Sequence, residues 1–425
     1  MKINKVSKLN GTITVPADKS ITHRAIMLSS LATGKSYINN YLKSDDCLMT
    51  MNAFKQMGVN IEQNENSLII TGSGVSGLKN PVKEIYAGNS GTTTRLLSGV
   101  LAGQNFSSTI TGDASLSKRP MKRVIEPLSL MGANVKAKDN NFLPMTILSN
   151  GTLKSINYTS PVASAQVKSC ILFAGLYADG TTTVTEPIKS RDHSERMFKT
   201  FGADISIDGL SVSVKKCNEL YAQEVTVPCD ISSAAFFIVA GLIVPNSNIK
   251  ILNVNINKTR DGILTVLKSM GADIVLDNVR NVSGEDVADI EIKTSKLNST
   301  SFGKEIVPSL IDEIPIIVLA ATQAEGQTVI SGAKELKVKE SDRIHSVASQ
   351  LNKMGADIKE TDDGFIINGP TKLKGATVDS FDDHRIAMML SIAGLIAEGE
   401  TEVLDSDCVK ISFANFYEVL KQVCK

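Results

Sequence analysis

The sequence predicts an α/β protein of two similar lobes, each holding three copies of one repeating unit. A five-residue phrase recurs at 57–61, 131–135, 201–205, 270–274 and 354–358: Met or Phe, Gly, Val or Ala, Asn or Asp, then Ile or Val. Its glycines lie 74, 70, 69 and 84 residues apart, too far for a solenoid and right for one compact βαβ-type unit. A second pattern, Val-Pro-x-Asp, occurs at 15–18 and 227–230, half a chain apart, and reads as a pair of crossings between lobes. The expected lobes are 16–228, and 1–15 with 229–425. A cleft between them is a common place for a ligand.

Each phrase reads as a helix end, a glycine cap and entry into a strand. An amphipathic helix precedes each glycine, at 45–56, 121–130, 190–200, 258–269 and 341–353, and 412–423 supplies a sixth. Ahead of each stands a more apolar helix: 20–32, 92–101, 165–178, 232–244, 312–324 and 384–397. Short β-rich stretches such as 181–184 and 328–330 follow the apolar helices. The unit is thus helix, strand, helix, strand, strand, six times over. Apolar helices belong inside and amphipathic ones outside, because only the latter carry a polar face.

Composition bounds the function. The 425 residues are 42% apolar and 21% charged with zero net charge, as in a soluble globular protein. No overall field recruits nucleic acid or an anionic membrane. The longest apolar run, 234–244, is far short of the roughly 20 residues that span a bilayer. Without a hydrophobic signal region at the N-terminus, a cytoplasmic location is expected. The six cysteines form no CxxC and the four histidines no metal-ligand spacing, so reduced thiols, no metal and no cofactor are expected. Two glycine motifs are decoys. The G-x-G-x-x-G of 72–77 runs into Pro81 rather than a helix, and Gly34-Lys35-Ser36 ends a helix instead of opening one.

The chemistry gathers at the starts of the apolar helices. These read Lys19-Ser20-Ile21-Thr22-His23-Arg24, Gly88-Asn89-Ser90-Gly91-Thr92-Thr93-Thr94-Arg95, Ser164-Ala165-Gln166, Asp230 with Ser232 and Ser233, Asp312-Glu313, and Asp383-His384-Arg385. Converging helix N-termini make an anion site. One Ser or Asp at a helix start is an ordinary cap, and one arginine there is an ordinary surface residue. Lys19, Arg24, Arg95 and Arg385 sit at that end in three different repeats, against the macrodipole. External anions would offset them. Arg119, Arg191, Lys337, Lys339 and Arg343 add further cations.

At these residues the chain resembles the enolpyruvyl transferases, in the branch that uses shikimate 3-phosphate. The matches are Asp18-Lys19-Ser20 through Arg24, Gly88 to Thr92 with Arg95, Lys118-Arg119-Pro120, Ala163-Ser164-Ala165-Gln166, Lys339-Glu340-Ser341-Asp342-Arg343 and Asp383-His384-Arg385, in the family's order. The resemblance implies two lobes of three βαβαββ units each, in keeping with the repeat count. It implies addition and elimination between phosphoenolpyruvate and the 5-hydroxyl of shikimate 3-phosphate, releasing phosphate, on the route to chorismate and the aromatic amino acids. Lys19, Ser20, Arg24, Ser164, Ala165, Gln166, Arg191, Asp312 and Lys339 would hold shikimate 3-phosphate, Arg191 meeting its phosphate. Lys19, Gly91, Arg119, Gln166, Arg343, Arg385 and Lys410 would hold phosphoenolpyruvate. Asp312 would be the base, with Glu340 and Lys19 moving the proton at the methylene carbon. A lysine crowded by arginines should titrate below its ordinary value.

Some positions depart from the best-known bacterial pattern. Ala165 replaces a second serine, Glu335 an asparagine and Leu96 a proline. Ile411 falls where a phosphoenolpyruvate lysine is expected, with Lys410 one position earlier. Arg191-Asp192-His193 and 90–96 look more like a second, divergent subgroup. The rival within the fold, the UDP-N-acetylglucosamine enolpyruvyl transferases, carries a mobile-loop cysteine, and 113–119 has none. RNA 3′-phosphate cyclases use related units, but zero net charge and no aromatic stacking stripe oppose RNA. A mere anion store is opposed by Asp312 and Glu340, whose carboxylates would weaken anion binding. The expected partners are the two small substrates, with no nucleic acid and no membrane, acting on a monomer.

Overall fold

Every recurrence of the glycine phrase closes a helix in the same way. In this computed structural model, which describes residues 1–149 and 152–424, Gly58, Gly132, Gly202, Gly271 and Gly355 have φ between 88° and 95°. The next N–H reaches back five residues, as Val59 to Phe54, Ala133 to Leu128, Ala203 to Phe198, Ala272 to Leu267 and Ala356 to Leu351. Only glycine takes that left-handed turn without strain, which accounts for the invariant residue.

The chain divides into two compact units, 17–227 with 282–285, and 1–16, 228–281 and 286–425. The first holds α1 (Lys19–Leu31), α2 (Asp45–Gln56), α3 (Gly91–Ala102), α4 (Lys122–Leu130), α5 (Ala165–Gly175) and α6 (His193–Thr200). The second holds α7 (Ile231–Ile243), α8 (Gly262–Ser269), α9 (Ile314–Ala321), α10 (Arg343–Lys353), α11 (His384–Gly394) and α12 (Phe416–Val423). Residues 282–285, which the sequence reading gave to the 229–425 lobe, group with 17–227 instead. Glu285 meets His193 Nδ1 at 2.7 Å, Gly284 O accepts from Arg196 and Ser283 Oγ accepts from the Thr226 N–H.

Three of the amphipathic helices, α6, α8 and α12, start three or four residues later than their pattern suggests. In α8 the reason is visible. Asn257 Oδ1 accepts from the Thr259 N–H and its carbonyl from Arg260, so 257–260 form a side-chain-locked turn before the helix.

Six sheets carry the helices. In a representative sheet, Ile85–Tyr86 runs parallel to Ser108–Thr111, which pairs antiparallel with Phe142–Leu148 and, beyond it, Asn134–Lys138. This is the expected βαβαββ unit. Two sheets obtain their parallel strand from far away in sequence. Asn10–Ile13, just ahead of α1, pairs with Asn248–Asn255, and Glu224–Thr226, just ahead of α7, pairs with Thr33–Asn39. The two Val-Pro crossings thus exchange strands, and each unit is completed by a segment leading into the other unit's first helix. The sixth sheet has three strands, with Lys2–Ile3 beside Thr401–Leu404.

Each unit has its own core. Ile26, Phe54, Leu97, Ile171, Phe173 and Phe198 belong to one, and Phe236, Phe237, Ile317, Met389, Phe413 and Phe416 to the other. The apolar helices lie inside, as their lack of a polar face requires. α3 and α5 approach so closely that a Cβ on Gly99 would stand 2.1 Å from the Cys170 carbonyl oxygen. That packing fixes the starts of these helices relative to each other.

Candidate active site

In the 17–227 unit, α1, α3 and α5 begin with side-chain caps. Asp18 accepts from the Ile21 N–H, Ser90 from Thr93 and Ser164 from Val167. Lys19 and Ser20 open α1, and Lys19 Nζ lies 3.1 Å from Asp46 Oδ2 in the first turn of α2. One turn on, Arg24 is 2% exposed. Its Nε and Nη2 donate to Ser194 Oγ and Ser169 Oγ, both at 2.7 Å, and Nη1 to the Ser20 carbonyl at 3.0 Å. Burial, reinforced by repulsion from Arg191, lowers its pKa to about 10 against the pull of Glu195 and Asp18.

At α3 the cations crowd a glycine. A Cβ on Gly91 would stand 3.0 Å from Arg95 Nη1 and 3.8 Å from Arg119 Nη1, so a side chain would fill the space beside both guanidiniums. Arg95 Nη1 donates to Gln166 Oε1 at 2.6 Å, and Gln166 Nε2 donates to Thr92 Oγ1 at 3.0 Å. Arg119 Nη2 donates to Asn89 Oδ1 at 2.6 Å, and Asn89 is held in turn by Asp113. Gly91, Arg95, Arg119 and Gln166 thus form one group at a helix N-terminus, a geometry suited to a small phosphorylated anion. Beneath it runs a buried chain. His23 Nδ1 meets Thr50 Oγ1, Thr50 meets Thr93 and Thr93 meets Ser90, each at 2.7 Å. Burial lowers the His23 pKa to about 3, so this ring is neutral.

The 228–425 unit builds its group around one buried arginine. Arg343, first residue of α10, donates from Nε to Asp383 Oδ2 at 2.8 Å and from Nη2 to Asp383 Oδ1 at 3.2 Å and Glu340 Oε2 at 2.7 Å. Its Nη1 stands 3.5 Å from Asp312 Oδ1, which Lys339 Nζ also reaches at 3.2 Å. Burial opposes the charge of Arg343, but Asp383, Glu340 and Asp312 outweigh it and raise its pKa above the ordinary value. Asp383 is lowered for the reciprocal reason, its own burial notwithstanding. Asp383 also caps α11 through the Arg385 N–H, and Arg385 Nη1 lies 4.0 Å from Glu313 Oε1.

The structure therefore gathers Lys19, Ser20 and Arg24 at one helix start, Gly91, Arg119 and Gln166 at two neighbouring ones, and Asp312, Lys339, Glu340 and Arg343 in a single network. Ser164 caps the helix that Ala165 opens. Arg191 is partly exposed in the turn before α6. Lys410 stands apart in these contacts, paired with Asp407 at 2.7 Å and mostly exposed. Sequence reasoning placed Glu313 at a helix start without giving it a partner, and missed Asp46, Arg260 and the grip of Asp383 on Arg343. Arg260 is buried, donates to Ser232 and Asp230, and lies 3.9 Å from Glu313, which also accepts from Ser232. Among the described residues no group of His, Cys, Asp or Glu is arranged to hold a metal.

The sequence pattern described as EPSP synthase (3-phosphoshikimate 1-carboxyvinyltransferase) fits residues 3–420. A 3-phosphoshikimate 1-carboxyvinyltransferase of Endomicrobium trichonymphae is 60% identical, with 100% of both chains covered. That of Thermoanaerobacter sp. strain X514 is 52% identical over 98% of each chain. A solved EPSP synthase from Acinetobacter baumannii superposes with a TM-score of 0.90 at 45% identity, covering 100% of this chain and 98% of that one. The enolpyruvyl transferase NikO from Streptomyces tendae shares the fold, with a TM-score of 0.80 at 16% identity over 99% and 96%. With its repeats, its helix-start motifs and nearly its whole length in common with these proteins, the chain belongs to the EPSP synthase family.

Proposed function

We propose that this chain transfers the enolpyruvyl group of phosphoenolpyruvate to the 5-hydroxyl of shikimate 3-phosphate and releases phosphate, the shikimate-pathway step that leads toward chorismate. The observation that carries the reading is a set of guanidinium groups and helix N-termini in a chain of this family, with Asp312 and Glu340 held at the edge of the charge. Arg24, Arg191 and Lys339, with Ser20, Ser164, Ala165 and Gln166, take shikimate 3-phosphate. Gly91, Arg119, Arg343, Arg385 and Lys410 take phosphoenolpyruvate, and Lys19 serves both.

Two highly charged anions must come within bonding distance, and forked guanidiniums suit phosphate and carboxylate. Asp312 accepts the proton of the 5-hydroxyl as its oxygen bonds to the central carbon of phosphoenolpyruvate. Lys19 and Glu340 deliver a proton to the methylene carbon, which becomes a methyl group. Loss of a methyl proton then restores the double bond as the carbon–oxygen bond to phosphate breaks. Separate acid and base groups are what this sequence of transfers requires. Each unit encloses its own apolar core, which supports a monomer. No helix among the described residues is long and apolar enough to cross a membrane. Phosphate release is the test. It should need both substrates together, and release from phosphoenolpyruvate alone, or none with both present, would overturn the reading.

A further inference from the structure

Behind Arg24 and Arg191 lies a buried ion cluster that the reaction does not use directly. Lys168, on α5 one turn after Ala165, is 1% exposed. Its Nζ stands 2.7 Å from Glu186 Oε2 and 2.6 Å from Glu195 Oε1, both carboxylates being buried as well. Glu186 is gripped from its other side. The Ser190 N–H donates to Oε2 at 3.3 Å and Ser190 Oγ to Oε1 at 2.5 Å. Ser190 is the residue before Arg191. Glu195 follows Ser194, whose hydroxyl accepts from Arg24 Nε and meets Ser169 Oγ at 2.6 Å.

One lysine therefore stands at the root of two arms. Through Glu186 and Ser190 it reaches the backbone that carries Arg191. Through Glu195 and the start of α6 it reaches the hydroxyl that aims Arg24. We propose that Lys168, with Glu186 and Glu195, is a positioning device for the phosphate-bearing end of shikimate 3-phosphate. It sets the spacing of Arg24 and Arg191, two cations that repel each other until an anion joins them. This rests on the assignment of those arginines to shikimate 3-phosphate given above.

As simple glue between α5 and α6 the cluster would be a poor choice. Three buried charges lose their hydration, and well-packed apolar groups of the same size hold helices together as well or better. Apolar groups cannot hold a turn by directional bonds to an N–H and a hydroxyl, which is what Glu186 does for Ser190. The surplus carboxylate also has a use, since Glu195 supports the positive charge of Arg24 from behind against the cost of its burial.

Ser190→Ala and Glu186→Gln, with Lys168→Met as the severest variant, test this against unmodified enzyme. Steady-state constants are measured for both substrates, with thermal melting to confirm folding and with shikimate lacking the 3-phosphate as a second acceptor. Ser190→Ala should raise the KM for shikimate 3-phosphate about threefold to tenfold, the worth of one hydrogen bond. Glu186→Gln, which removes a charged partner, should raise it more than about tenfold. The KM for phosphoenolpyruvate and kcat should stay within about twofold, and the penalty should vanish with plain shikimate. Ser190→Ala removes only one oxygen, so it decides the matter where Lys168→Met fails to fold. An unchanged KM for shikimate 3-phosphate in folded variants, a parallel rise for both substrates, or a penalty that persists with plain shikimate would each overturn the proposal. Absence of turnover in the unmodified enzyme would instead overturn the functional reading beneath it.

Discussion

Arg24 and Arg343 are buried guanidiniums near helix starts, exposed by only 2% and 1%, yet their surroundings are opposite. Arg24 donates to two serine hydroxyls and a carbonyl, and its pKa falls to about 10. Arg343 is held by Asp383, Glu340 and Asp312, and its pKa rises. A guanidinium among neutral acceptors keeps a positive charge that its nearest partners do not cancel, and an arriving anion completes the balance. A guanidinium among carboxylates is already partly compensated, and its fork orients those carboxylates, holding Asp383 below its ordinary value. The contrast leaves a buried cation among neutral acceptors in the 17–227 unit and a buried cation that gathers carboxylates in the 228–425 unit.

The largest effect that follows is on Asp312. Asp312→Ala should lower kcat by about 10² to 10⁴-fold, the usual worth of a positioned base. Calorimetry should still show shikimate 3-phosphate bound, because Arg24 and its neighbours are untouched. A loss smaller than about tenfold, or 1.4 kcal/mol of barrier, would remove Asp312 from the role of base.

Stability separates the two arginines next. Arg343→Met leaves three carboxylates facing one another without their shared cation and should cost about 3–5 kcal/mol in urea unfolding. Arg24→Met leaves Ser169 and Ser194, which already hydrogen-bond to each other at 2.6 Å, and should cost only about 1–2 kcal/mol. Equal losses would mean that the two environments do not differ as the contacts imply.

Much of this was legible in the chain because helices announce themselves locally. Every helix expected from periodicity exists, and the glycine phrase marks five of their ends, since a left-handed turn needs that residue wherever it occurs. The helix-start motifs were visible for the same reason. Pairing at a distance was not. Nothing local in Asn10–Ile13 or Glu224–Thr226, segments of four and three residues, says that they exchange sheets. The counter-ions were hidden behind their own capping roles. Asp383 Oδ1 caps α11 through the Arg385 N–H, which is all a sequence shows, while both its oxygens grip Arg343 forty residues away. Asp46 looks like an ordinary first-turn acid until Lys19 is found beside it.

A smaller effect probes the neutral side of the contrast. His23 is enclosed with Thr50 at 2.7 Å, near Asp46, Lys19 and Arg24, and its pKa falls from 6.5 to about 3. Between those values the unfolded chain binds a proton that the folded chain refuses, so stability falls as pH falls. The slope from this one group approaches roughly 1.4 kcal/mol per pH unit. His23→Asn, which keeps a polar partner for Thr50, should flatten the difference between pH 6.5 and 4.5, above the range where Asp383 takes up its proton. Parallel unfolding curves for both proteins across that range would show that His23 is not held neutral.

The smallest expected effect is none at all, and it concerns thiols. Cys47 follows Asp46 and Cys170 follows Ser169, so two cysteines adjoin the site in sequence, yet both are buried. Burial raises the Cys47 thiol to about 12 and lifts Cys170 further. Cys408 is raised to about 12, Cys229 and Cys424 to about 11, and Cys217 also lies above its ordinary value, burial being the first cause in each. The thiolate is the form that reacts, and near neutrality these groups hold little of it. The hydrogen-bond partners of Arg24 and Arg343 named above include no sulfur. Iodoacetamide at pH 7 should therefore leave the rate of phosphate release unchanged over a time that fully alkylates a small free thiol. Inactivation by one equivalent, slowed by phosphoenolpyruvate, would place a thiol at the phosphoenolpyruvate groups and show that a sulfur belongs to the site.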